Sequence, residues 1–145
     1  MDLVDMKEKE KNKFCLLIAN EAKGFIDNKE AKALVELAIK RGWEWIDSEC
    51  DISEELYEFL DNEENGFTKF QECETDKIII AAWDSIIDAV AFICKSAYLK
   101  AGEEYFPEPI GLVDDDTIEH MIDSFLLCNG GDKKQIEELY MESMK

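Results

Sequence analysis

The sequence predicts an all-α fold: a single compact domain over residues 1–145, with five or six helices packed around a central apolar helix at about 76–100. Three observations carry that expectation. Apolar residues recur at helical spacing along most of the chain, and no stretch alternates with the period of two that a half-buried strand requires. Gly and Pro number only seven and two, which suits helices joined by few sharp turns. The most apolar stretch, Ile78–Tyr98, is broken only by Asp84, Asp88 and Lys95, so most of its circumference should be buried. A 46% apolar composition argues against a disordered acidic tail.

Taken in order, Phe14, Leu17, Ile18, Ala22 and Phe25 mark a first amphipathic helix. Asp27-Asn28 offers an N-cap for the second, whose apolar face is Ala31, Leu34, Val35, Ala38, Ile39, Gly42 and Trp45 or Ile46. Gly42 on that face suggests the close approach of another backbone. Asp51-Ile-Ser-Glu54 has the form of a capping box and opens a short helix through Leu60. Residues 61–75 are polar, contain Gly66 and read as the longest loop. The central helix follows. Pro107 and Pro109 make 101–113 irregular or extended. Asp116-Thr-Ile-Glu119 again resembles a capping box, opening a helix with Ile118, Met121, Ile122 and Phe125 on one face. Asn129-Gly-Gly-Asp132 should end that helix and cap a last one carrying Ile136, Leu139, Tyr140 and Met144.

The net charge of −19 is concentrated in two blocks. Residues 42–76 hold thirteen acids against Lys69 alone, and residues 101–132 hold nine acids and no Lys or Arg. Solubility would be served by interspersed signs. Blocks of one sign instead repel nucleic acid and anionic membrane and attract a basic surface. The basic surfaces of a cell belong largely to proteins that bind nucleic acid, so the expected partner is a basic protein. Trp43, Trp45 and Tyr57 lie among the acids, as interface anchors or as core, with Trp45 read as core.

Other chemistries find little support. The single histidine, His120, cannot build a His-rich metal site and reads as an ordinary surface or packed residue. Asp84 and Asp88 share a helix face with Lys77 and Lys95 and read as a solvated polar stripe. No GxGxxG or GxxxxGK[ST] occurs, so no cofactor is expected, no metal site is assigned, and the chain reads as a non-enzyme. The five cysteines are odd in number and lie at least 21 residues apart, which removes CxxC motifs and fits reduced thiols in the cytoplasm. The N-terminal residues lack a basic start followed by an apolar run, so no signal peptide is expected. One alternative is a single calcium loop, with Asp61, Asn65, Gly66 and Glu72 at EF-hand positions 1, 5, 6 and 12. Against it stand Glu63 at position 3, Thr68 at position 8 and the lack of a sister loop. A general acidic interaction module is the other alternative.

Three stretches resemble an all-α family of bacterial immunity proteins, family six. Leu34-Val-Glu-Leu-Ala38 through Arg41-Gly-Trp-Glu-Trp-Ile46 resembles its helix ending in Trp-x-Trp. Ile52-Ser-Glu-Glu-Leu-Tyr57 with Leu60-Asp61 resembles its short acidic helix. Ala97-Tyr98, Gly102-Glu103, Pro107 and Val113-Asp-Asp-Asp-Thr-Ile118 resemble its C-terminal signature. The resemblance implies a non-enzymatic cytoplasmic antitoxin that neutralises the cognate toxin domain of a polymorphic or contact-dependent toxin system. Charge adds the expectation that the toxin is basic, with a nuclease as the candidate. The acids expected to meet it are Glu44, Asp47, Asp51, Glu54, Glu55, Glu58, Asp61, Glu63 and Glu64, with Asp114, Asp115, Asp116 and Glu119. For one footprint, the two blocks must meet in space.

Overall fold

The computed structural model describes residues 1–48 and 50–145. Its central element is the apolar stretch. Asp76 accepts from the amides of Ile78 and Ile79, which gives the orphan donors of a helix start a partner. The helix then runs over Lys77–Lys100. In chain order the helices are α1 (Glu8–Ala22), α2 (Lys29–Ser48), α3 (Ser53–Asp61), α4 (Phe67–Glu72), α5 (Lys77–Lys100), α6 (Glu108–Gly111), α7 (Asp115–Cys128) and α8 (Lys133–Ser143). Short 3-10 turns stand at Leu3–Asp5 and Lys23–Phe25, and no strand occurs among the described residues.

Helices α1, α2, α3 and α7 surround α5, and α8 closes the outer side of α1. Alanines at 81, 82, 89 and 97 let neighbouring helices approach α5 closely, while Trp83, Ile86, Val90, Phe92 and Ile93 fill the space between them. Three small polar groups set the register. Ser85 Oγ donates to the Met121 carbonyl on α7 at 2.8 Å. Cys94 Sγ donates to the Ser53 carbonyl on α3 at 3.3 Å. Ser96 Oγ lies 3.0 Å from Glu8 Oε1 and 3.1 Å from Asn12 Oδ1 on α1. Sliding any of these helices would orphan a buried polar group, at roughly 1–3 kcal/mol each.

The all-α expectation holds, but eight α-helices stand among the described residues where five or six were expected. The additions, α4 and α6, fall in the segments read as loop at 61–75 and 101–113. Both are shorter than two turns, too short to show a period, and tertiary packing holds them. Phe67 of α4 is fully buried, and Ile110 of α6 is buried against α5. Aromatic rings pin α4: Phe67 lies 5.4 Å from Trp83, Phe70 stacks on Trp83 at 5.8 Å, and Phe59 stacks on Phe67 at 5.9 Å.

Local details differ as well. The α2 face is as read, with Leu34 only half-buried, and Asn28 Oδ1 accepts from the Ala31 amide as its cap. Gly42, however, makes room for a side chain and not a backbone: a Cβ there would stand 2.6 Å from Leu16 Cδ2 of α1. The start of α7 is capped by Asp114, two residues earlier than expected, with Thr117 as reciprocal partner. Asp51 accepts from the Ser53 amide and hydroxyl and makes no box with Glu54. The α7–α8 turn is as read. Gly130 and Gly131 adopt φ of 75° and 80°, which a side chain would resist, and Asp132 caps α8.

Candidate partner-binding face

Several of the acids named from the sequence have work inside the fold. Arg41, about two turns before the end of α2, donates from Nε and Nη2 to the two Glu55 oxygens at 2.9 Å each. Its Nη1 donates to Glu44. These bonds, Glu55 foremost, hold the guanidinium well above its ordinary pKa. The Arg41–Glu55 pair therefore clamps α2 to α3, and Glu44 steadies the guanidinium from within α2. Arg41 sits just before the acidic block in the sequence, and its i,i+3 spacing to Glu44 was the one visible sign of this role. The Ser53 hydroxyl and amide hold Asp51 below the usual carboxylate range. Glu58 accepts from Asn62 Nδ2 at 2.6 Å. In the second block Asp114 caps α7, and Asp115 pairs with Lys11 Nζ of α1 at 3.0 Å.

The remaining named acids, Asp47, Glu54, Asp61, Glu63, Glu64, Asp116 and Glu119, are exposed and have no ion-pair partner among the described residues. Glu49, also in the first block, lies outside the described residues.

The two blocks approach across a groove of about 330 Å³. One wall is Tyr57, Leu60 and Asp61 of α3 with Thr68 of α4; the other is Pro109, Ile110, Leu112, Val113 and Thr117. Ile87, Asp88 and Ala91 of α5 form the floor. Residues 57–68 of the first block thus face residues 109–117 of the second; Asp61 is the one named acid in the lining, and Asp47 at the end of α2 is not part of the groove. The Lys95 ammonium fixes the far wall, donating to the carbonyls of Val113 at 2.6 Å and Gly111 at 3.1 Å. Leu112, at the lip, is 75% exposed. Burial first, and then the nearby Asp61 carboxylate, push the Tyr57 phenol up from its ordinary pKa. Trp43 is half-buried, and Trp45 is core as read.

The stripe on α5 is not simply solvated. Gln71 Nε2 donates to Asp84 Oδ1 at 2.7 Å, and Asp88 pairs with His120 Nδ1 of α7. Burial raises Asp88 to about 6, against the opposing pull of His120. The bond to Asp88 in turn raises His120. A histidine raised on folding adds stability that is fully present below its unfolded pKa and disappears as pH rises through the folded value. Below about 6, Asp88 takes up its own proton and the charge pair ends. His120→Gln should therefore lower the urea midpoint most just above the Asp88 value of about 6, where both partners are charged, and least at alkaline pH. A gap between variant and wild type that widens with pH would contradict this assignment.

The calcium alternative meets a different geometry. Residues 67–72, which would be loop positions 7–12, are the helix α4. Gly66 has φ −68° and caps that helix, with no left-handed turn of the kind the sharp bend of an EF-hand loop needs. Among the described residues no three His, Cys, Asp or Glu side chains stand where they could hold one ion. Burial raises the thiols of Cys94 to about 12 and Cys128 to about 11, which disfavours thiolate chemistry there. No helix among the described residues is long and apolar enough to cross a membrane.

Compared with known families, the chain matches that of immunity protein Imm6 over residues 10–128, from the first turn of α1 to the last residue of α7. No curated protein and no solved structure matches it.

Proposed function

The chain belongs to the Imm6 family of immunity proteins, and on that premise we propose that it neutralises its toxin by covering it with the acidic face around α3 and the start of α7. The family role is that of an inhibitor and not a catalyst. The observation that carries the finer reading is the set of exposed acids without an ion-pair partner among the described residues: Glu54, Asp61, Glu63 and Glu64 on one side, Asp116 and Glu119 on the other. Such a surface fits a basic toxin domain, of the kind a nuclease presents to the nucleic-acid backbone. Inhibition would be occlusion in the cytoplasm. Opposed fields would also speed capture, which matters because each uncaptured toxin molecule turns over repeatedly.

The test is co-expression with the toxic domain encoded beside this chain. Cells should survive and a complex should co-purify. Its association rate should fall at least about tenfold between low and physiological salt. Glu54→Lys, Asp61→Lys and Glu63→Lys combined should remove most of that dependence. Glu55 and Glu58 are left unchanged because they hold Arg41 and Asn62. Continued killing would sink the immunity reading for this pair. A protective complex indifferent to salt would keep immunity and discard the acidic face.

A further inference from the structure

We propose that the groove between α3, α5 and α6 is the anchor point of this interface, taking one toxin segment that inserts an apolar side chain between Tyr57 and Leu112 and sets a Lys or Arg against Asp61 and Asp88. The inference rests on the immunity reading and specifies where its binding energy comes from. Exposed acids steer an encounter but add little affinity, because water and salt screen them. Affinity concentrates where a buried aromatic or apolar anchor is ringed by groups that exclude water.

The groove has that make-up. Its walls are mainly apolar, and Leu112 stands at its lip 75% exposed, an uncovered leucine beside Pro109 and Ile110. At about 330 Å³ it sits at the bottom of the range for small-molecule sites, about 300–1,000 Å³, and has the size for side chains.

Charge selects the occupant. The lining of this groove has no basic side chain, unlike two other clefts of similar volume. The cleft beside Asp114–Asp116 contains Lys95, and the one beside Trp45 contains Lys9 and Lys100. Here Asp61 has no ion-pair partner among the described residues, and Asp88 on the floor has only His120. A cationic side chain entering beside an apolar one would find two carboxylates within the groove and Tyr57 next to them. A neutral or acidic segment would leave those carboxylates desolvated and unpaired, so the groove discriminates as well as binds.

The experiment measures dissociation of the purified complex with the co-expressed toxin domain. Leu112→Asp places charge at the lip on a side chain that folding barely uses. It should raise Kd by about a hundredfold, mainly through faster dissociation, with an unchanged melting curve. Leu37→Asp, on an exposed position of α2 away from the groove, should stay within about threefold. Asp61→Asn should weaken binding about tenfold and flatten its salt dependence. If Leu112→Asp binds within about threefold of wild type while the triple charge reversal still slows association, the groove is not the anchor although the acidic face stands. If wild type itself forms no complex, the immunity reading fails, and the groove proposal with it.

Discussion

Trp83→Ala is expected to lower stability by about 3–5 kcal/mol, the upper range for a single core truncation. Trp83 is 2% exposed and lies between Phe67 and Phe70, with Phe59 behind Phe67. Truncation removes roughly 150–250 Å² of buried apolar surface and leaves two rings of α4 facing a void. Six-residue α4 has little stability of its own and should loosen with it. Against a total of about 5–15 kcal/mol for a domain, that loss is large. Urea unfolding followed by circular dichroism is the suitable readout, since the substitution also removes a fluorophore. A loss below about 1 kcal/mol would mean that the aromatic cluster does not hold α4 in place.

Gly66→Ala is expected to cost about 1–3 kcal/mol and to impair protection as well. The backbone there has an ordinary φ of −68°, so strain in φ is not the cause. A Cβ would stand 2.6 Å from both the amide nitrogen and the carbonyl oxygen of Asn62, and 2.9 Å from the Leu60 carbonyl. None of these atoms is the free end of a side chain, so the α3–α4 turn must move. Asp61 and Thr68 flank that turn and belong to the groove wall, and the Thr68 hydroxyl donates to the same Leu60 carbonyl. Gly24→Ala is the control, with nothing within 4 Å of its Cβ. Equal melting temperatures for the two variants would refute the steric argument.

Much of this was legible in the sequence. The central helix, the buried face of α2 and the Gly-Gly turn before α8 each follow from a local pattern: an apolar run, a 3.6-residue period, a C-terminal left-handed cap. The short helices were not legible, because α4 and α6 depend on rings and aliphatic side chains contributed by α5. The candidate site divides the same way. That acids cluster is a property of composition. Which of them keep an unpaired charge is not, since Glu44 and Glu55 are paired with Arg41, and Asp115 with Lys11, more than a hundred positions away. The groove joins Tyr57 of α3 to Thr117 of α7 across the floor of α5, and no short window of sequence contains both walls.

The position of α5 has a consequence for synthesis. The faces of α1, α2 and α3 are buried against a helix that begins only at Lys77 and ends at Lys100. As the chain emerges from the ribosome, the first helices wait without their packing partner. From Ala22 to Lys100 the delay is roughly 4–16 s at about 5–20 residues per second. During that interval the nascent segment exposes the apolar stripes of α1 and α2 together with a strongly acidic stretch, whose self-repulsion opposes premature association with neighbouring chains. The far wall of the groove, residues 109–117, is translated later still. The two walls of the groove therefore meet only after residue 117 has been made, well after α1 and α2 have left the ribosome.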